Sequence, residues 1–302
     1  MSGQGLAGHR HVTIVRMTAD VVVAELNCYP VKSCAGVSLA RAHVGPMGIR
    51  YDRQWMVVDE AGRFMAQRTD DERHGAGCRS LGQVRTVIGS GSLVLEAAGM
   101  PPLKVPLAGG EGPRLTVYVW GRPMVGADQG SAAADWFSEY LSRERPGRYR
   151  LVRMPEDEVR PANRGSGRLA FADGYPFMVI STASLADLNR RMAEPLPMGR
   201  FRPSLVIRTD EPYAEDRIEH ARIGPVELFG TSGCVRCPIP TFDQRTGARG
   251  KEPLRTLATY RRTPRGVVFG RNFNHAGTGE IAVGERVEIL AWQADSSEPK
   301  PA

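Results

Sequence analysis

Cysteine is scarce, with five in 302 residues at Cys28, Cys34, Cys78, Cys234 and Cys237. A sparse, odd count behind a start without a signal-peptide core argues for reduced thiols rather than a disulfide framework. Long hydrophobic runs are missing too. The longest near the start is Val21-Val22-Val23-Ala24, far short of the roughly 20 residues that cross a bilayer. The expectation is a cytoplasmic protein without a membrane partner. Aromatics reach only 7%, leaving few stacking platforms for single strands. No block of basic residues occurs, so the net charge of +7 points to an anionic ligand and not to nucleic acid. Lysine is rare among 40 basic residues, occurring as Lys32, Lys104, Lys251 and Lys300. Dinucleotide and phosphate-loop glycine motifs are absent, as is a nucleophile elbow, which lowers the weight of nicotinamide, flavin, nucleotide and serine-hydrolase chemistry.

What is present is a globular composition, 41% hydrophobic and 24% charged, long enough for two domains. Short strands are expected at 12–16, 21–26, 54–58, 84–88, 92–96 and 115–119, separated by Gly, Pro and Asp clusters as in a barrel or sandwich. The period then changes. Residues 131–143 predict a helix with Ala134, Phe137, Tyr140 and Leu141 on one face and Ser131 as N-cap. The stretch 155–168 reads as a loop, 176–180 as a strand and 181–192 as a helix opened by Ser181 or Thr182. Further strands are expected at 201–207 and 226–228, a short helix at 253–261 and a hairpin-like pair at 280–290.

Three clusters carry candidate chemistry. Lys32, Ser33 and Arg53 supply donors that suit a phosphate or carboxylate, or form a solvated strand end. Ser181 and Ser184 open a helix and either cap it or leave its N–H groups to an anion. Arg202, before Pro203, is expected in an extended segment. The third cluster is Cys234-Val-Arg-Cys237 in a Gly/Pro loop. A Cys beside Arg236 can be a stabilised thiolate and a ligand for a soft metal. No second cysteine pair or His pair completes a zinc site.

Several segments, taken in order, resemble the MOSC-domain molybdenum enzymes, the family of the mitochondrial amidoxime-reducing component and its bacterial relatives. They are Tyr-Pro-Val-Lys-Ser-Cys (29–34), Asp-Arg-Gln-Trp-Met-Val-Val-Asp (52–59) and Pro-Phe-Met-Val-Ile-Ser-Thr-Ala-Ser-Leu-Ala-Asp-Leu-Asn (176–189). Phe-Arg-Pro-Ser (201–204), Tyr-Ala-Glu-Asp (213–216), Cys-Val-Arg-Cys (234–237) and Lys-Glu-Pro-Leu-Arg-Thr-Leu (251–257) continue the series. Phe-Gly-Arg-Asn-Phe (269–273) and Val-Gly-Glu-Arg-Val-Glu-Ile-Leu (283–290) close it. Two departures stand out: Asp70 and Asp71 where members often carry an apolar–proline step, and Ser204 where eukaryotic members have Asn.

The resemblance implies an α+β, β-rich fold. A MOSC N-terminal β-barrel domain (15–130) precedes a MOSC β-barrel domain with short helices (131–293), with a disordered tail at 294–302. It implies a molybdenum cofactor, Mo-molybdopterin, with Cys237 as catalytic residue and metal ligand. Lys32, Ser33, Arg53, Ser181, Ser184 and Arg202 would hold the pterin phosphate and polar edge, with Arg236 and Asn272 near the metal face. The implied reaction is reduction of a small N-hydroxylated substrate to the amine or amidine plus water. With no iron–sulfur or flavin motif, electrons would come from a separate electron-transfer protein or reductase. A non-catalytic carrier of cofactor or sulfur, or a thiol redox or interaction module using Cys234 and Cys237, stays open beside it.

Overall fold

The computed structural model describes residues 20–68, 76–108, 112–165 and 167–293. The strand expected at 12–16 and the tail at 294–302 lie outside the described residues. The fold is α+β and strand-rich, with a central barrel. Its sheet runs in the order Val22–Cys28, Leu205–Arg208, Phe177–Ser181, Gly266–Ala276, Val226–Val235, Ile218–Ile223 and Glu288–Trp292. Among the described residues, the Phe177–Ser181 and Leu205–Arg208 pair is the one parallel pairing in this sheet. The barrel closes where residues 284–287 return to the first strand: Val23 N–H donates to Glu285 O at 2.9 Å, Gly284 N–H to Val23 O at 2.8 Å, and Val287 N–H to Val21 O at 2.7 Å. Closure leaves few unpaired strand edges.

Both faces of this sheet are covered, which explains why Leu205, Val206 and Ile207 are all buried. Leu205 and Ile207 join Val23, Leu26, Val179, Val226 and Phe273 inside the barrel. Val206 faces outward with Ile180, Leu188, Phe201, Leu257 and Phe269, beneath helices α2 (Thr182–Arg190) and α3 (Leu254–Leu257). Each such side chain contributes about 1.5–3 kcal/mol on burial, so the apolar layers hold the sheet.

The N-terminal half forms a second sheet, Arg114–Val119, Arg122–Asp128, Arg150–Arg153 and Trp55–Val58. Helix α1 (Ser131–Ser142) lies on its core through Ala133, Trp136, Phe137, Tyr140 and Leu141. The buried face thus includes Ala133 and Trp136, and Ala134 is only half-buried. Gly130, not Ser131, holds the cap position at φ 90°, its N–H donating to Asp128 Oδ1 at 3.0 Å.

Strand pairing runs across the expected boundary at 130/131. Val22–Cys28 belongs to the barrel, Arg41–Gly45 pairs with Gly279–Ala282, and Arg150–Arg153 pairs with Trp55–Val58. The 280–290 segment is not a hairpin. Gly279–Ala282 pairs with Arg41–Gly45 while Glu288–Trp292 pairs with Ile218–Ile223, because Gly284 at φ 87° turns the chain toward the barrel seam. The 155–168 loop contains one short pairing, Arg160–Pro161 with Arg168–Leu169.

The strand expected at 226–228 extends over Val226–Val235, and Gly266–Ala276 is a long strand that the sequence pattern did not indicate. Their register shifts at Gly230/Ser232 and Gly233/Val235, so alternation is lost where they bulge. Gly270 sits in this region at φ 79°, and an added Cβ would lie 2.7 Å from Ile180 Cγ1 and 2.9 Å from Val179 O. Gly270→Ala therefore combines a left-handed alanine with a clash against backbone, and is expected to lose about 2–4 kcal/mol in urea unfolding. An unchanged midpoint would show that this approach is not as tight as described.

Candidate functional site

A cleft of about 1250 Å³ opens between the two halves. It gathers Lys32, Ser33, Arg53, Arg202, Arg236, Cys237 and Asn272 on its walls. Seven of the nine residues expected at the site are thus brought together from segments far apart in sequence.

Lys32 and Ser33 follow the first barrel strand, and Arg53 precedes the Trp55–Val58 strand. Lys32 is buried, and its ammonium donates to Phe171 O at 2.9 Å and to the Asp173 carboxylate. Burial lowers the lysine's pKa and Asp173 opposes that shift. Desolvation works against ionising Asp173, but Lys32 and the Trp120 N–H more than offset it and hold the carboxyl at about 2. The carboxylate keeps 62% of its side-chain surface open, so it faces the cleft interior as a fixed anion.

Arg53 and Arg202 both stack on Tyr29, each 4.3 Å from the ring centre. Arg53 pairs with Asp52 at 2.5 Å, whereas Arg202 donates only to a carbonyl, Cys34 O, at 2.6 Å. Burial and then the neighbouring Arg53 lower the Arg202 pKa. One carboxylate therefore serves two guanidiniums, and this end of the cleft holds surplus buried positive charge. Ser33, Arg53 and Arg202 adopt φ of 70°, 49° and 58°, a left-handed backbone that costs of order 1–3 kcal/mol per residue and clusters at functional sites. Arg202 is thus not extended as expected before a proline. It ends the Met198–Phe201 turn, where its backbone N–H donates to Gly199 O and its side chain is fixed by Tyr29 and Cys34.

Cys234 lies within the Val226–Val235 strand and Cys237 just beyond it, before the Ile239–Thr241 turn. Arg236 donates to Phe201 O at 2.7 Å and to Cys234 Sγ at 3.1 Å, while its Nε is buried without a partner among the described residues. Burial pushes the Cys237 thiol up and Arg236 opposes this. Asn272 pairs across the sheet with Met178 and Ser232, half-buried at the cleft wall.

Ser181 and Ser184 are not at the cleft. Both are fully buried. Ser181 Oγ accepts from Ser184 N at 3.1 Å, the two hydroxyls meet at 2.7 Å, and Ser184 Oγ accepts from Tyr213 N at 2.7 Å. Their hydroxyls are used up in capping α2 and tying down the Tyr213 turn. Ser181→Ala is accordingly expected to lose about 1 kcal/mol in chemical denaturation. An unchanged midpoint would show that the Ser181 hydroxyl is not needed as a cap.

Sequence reading missed Trp120, Arg160 and Asp173. Trp120 and Gly121 form a two-residue hairpin loop between paired Val119 and Arg122, both with positive φ at 57° and 74°, as such loops require. A tryptophan in that conformation places its ring on the cleft wall, with the Arg68 guanidinium stacked 4.2 Å away. The Trp-Gly step between alternating strands was the available signal. Arg160 donates to the carbonyls of Ala170, Ala172 and Asp173 and shapes the loop that presents Asp173.

Residues 20–144 match the MOSC N-terminal beta barrel domain and residues 166–288 the MOSC domain. The chain is 34% identical to mitochondrial amidoxime-reducing component 1 of Mus musculus over 89% of its own length and 82% of the relative's. It is 33% identical to the Homo sapiens component 1 with the same coverage. Identity to mitochondrial amidoxime reducing component 2 of Bos taurus is 34%, covering 79% of this chain and 72% of that one. These names overturn the expected cytoplasmic location: the relatives are mitochondrial components. Among the described residues no helix is long and apolar enough to cross a membrane, which assigns no compartment. With both domains matched and a third of its residues shared over most of its length, the chain belongs to the MOSC-domain family of the amidoxime-reducing components.

Proposed function

We propose that the chain is a molybdenum-cofactor-dependent reductase of N-hydroxylated compounds. The observation that carries this reading is a pair of cleft-lining thiols, Cys234 and Cys237, meeting a surplus of buried cationic donors, with the Cys234 sulfur taken by Arg236 and Cys237 left to ligate. Among the described residues no group of three or more His, Cys, Asp or Glu could hold a metal ion. A metal here would take one soft protein ligand and its remaining ligands from an organic molecule. The under-neutralised Arg53–Arg202 pair and the unpartnered Arg236 Nε suit that molecule's phosphate and polar edge.

Lys32, Ser33, Arg53 and Arg202 would hold the phosphate, Cys237 would ligate the metal, and Arg236 and Asn272 would flank it. When bound, the cofactor supplies a two-electron centre able to take oxygen from an N–O bond. Asp173 is ionised at neutral pH, so it accepts a hydrogen bond from a substrate N–H or O–H and orients it, rather than donating the proton. The protons that complete water then come from solvent through the open mouth. The electrons come from a separate protein.

The test is protein made in a cofactor-competent host, assayed for molybdenum and pterin per chain and for viologen-driven reduction of benzamidoxime to benzamidine. Stoichiometric cofactor with turnover is the expected result. Metal-free protein would sink the reading, and full cofactor without turnover on any hydroxylamine or amidoxime would leave a carrier.

A further inference from the structure

Most of the cleft's inner cations have at least one protein partner. Lys32, Arg160, Arg202, Arg236, Arg261 and Arg271 each donate to a carboxylate or a carbonyl on its walls or floor. Four arginines that also line it have none among the described residues. Arg122 stands at the tip of the Arg114–Val119/Arg122–Asp128 hairpin, and Arg164 in the turn between Arg160–Pro161 and Arg168–Leu169. Arg262 and Arg265 stand on the hairpin of Arg262–Thr263 with Gly266–Ala276. All four are exposed, and among the described residues none of their side chains has a hydrogen-bond or ion-pair partner. The acids lining the cleft, Asp173 and Asp216, are held inside it by Lys32 and Arg261.

We infer that this arginine collar is the docking surface for an acidic electron-carrier protein. The inference rests on the reductase reading, which requires electrons from outside the chain. The collar comes from three separate loops that line the cleft, and all four side chains are exposed to solvent. Four exposed, unpaired guanidiniums on separate loops offer more donor forks than a small substrate has acceptors, and suit a macromolecular face. Electron-transfer encounters are small, weak interfaces, and charge complementarity sets their on-rate and orientation rather than their affinity. Unpaired arginines suit that role, since each offers a planar donor fork to a carboxylate. Docking there would also bring the carrier to the cleft that Cys237 lines.

The experiment uses cofactor-loaded protein and two reductants, an acidic plant-type [2Fe–2S] ferredoxin and reduced methyl viologen, a small cation. The charge-reversal variant carries Arg122→Glu, Arg164→Glu, Arg262→Glu and Arg265→Glu. Ferredoxin-driven turnover should fall roughly tenfold or more in that variant, since steering contributes factors of 10 to 10³. It should also fall steeply in wild type on going to about 0.15 M salt, where the screening length is about 8 Å. Viologen-driven turnover should hold in the variant, with an unchanged melting temperature. Ferredoxin-driven turnover that ignores both salt and charge reversal overturns the collar. So does a variant whose only defect is a raised KM for a carboxylate-bearing hydroxylamine under viologen, which would make the collar a substrate filter. Loss of viologen-driven turnover in wild type is a different failure, that of the reductase reading itself.

Discussion

Cys237→Ser protein is expected to fold normally, carry no bound molybdenum and show no reductase turnover. Cys237 lies in the loop after the Val226–Val235 strand and contributes nothing to the four apolar clusters. Exchanging sulfur for oxygen there should move stability by no more than about 0.5 kcal/mol, a shift of about 1–2 °C for a chain of this size. The loss of metal follows from ligand chemistry, because a serine hydroxyl is a hard, protonated donor where a soft thiolate is needed. Turnover should drop by more than the roughly 10–100-fold typical of removing a supporting outer partner. Cys234→Ser is the control, since its sulfur accepts from Arg236 Nη1 and that guanidinium keeps its Phe201 carbonyl. Molybdenum retained in Cys237→Ser, or lost equally in both variants, would remove Cys237 as the ligand.

Lys32→Met should weaken cofactor retention and stability near neutral pH together. The ammonium holds Phe171 O and Asp173 and lies 5.2 Å from the Phe64 ring centre. Methionine keeps the stem's packing but leaves Asp173 without its cation. Breaking a fully buried pair would cost about 3–5 kcal/mol, but Asp173 is largely open to the cleft. The loss expected is nearer the 1.5–3 kcal/mol of one charge-assisted bond, equivalent to roughly 10–100-fold in cofactor affinity if the same ammonium holds the phosphate.

The pH dependence has a definite sign. Asp173 is depressed from 3.8 to about 2 in the folded protein. Its contribution is therefore complete above the unfolded value and disappears as pH falls through 4 toward 2. Urea midpoints of wild type and Lys32→Met should differ most near neutrality and converge through that acid window. A constant difference, with cofactor content unchanged, would show that Lys32 only fills space.

Much of this site was legible because its residues come in short segments with distinctive side chains. Lys32-Ser33, Arg53, Arg202 and Cys237 were identifiable from motif order, and the structure places all of them on one cleft. Ser181 and Ser184 stayed between two roles because a hydroxyl opening a helix looks the same whether it binds a ligand or caps the helix. Only the packing of Tyr213 against them separates the two. Asp173 was invisible because its significance lies in partners 141 and 53 residues away, Lys32 and Trp120. In the fold, only the start of the Val226–Val235 strand and none of the Gly266–Ala276 strand was legible, because Gly230, Gly233 and Gly270 accompany bulges that break alternation. The seam at 284–287 was read as a local hairpin because its true partner, Val21–Val23, is remote in sequence.

That seam has a consequence for how the molecule is made. Residues 21–28 are among the first described residues to leave the ribosome, yet their hydrogen-bond partners are 205–208 and 284–287. The barrel cannot close until nearly the whole chain has been synthesised. Contacts this distant form slowly, and until they form the Leu205–Arg208 strand has a free edge beside a half-built apolar interior. A fragment beginning at residue 131 would keep that edge open permanently. It would lack Val23 and Leu26 from the barrel interior and should come out of the cell as aggregate, whereas co-expression with a separate 20–130 piece should rescue it.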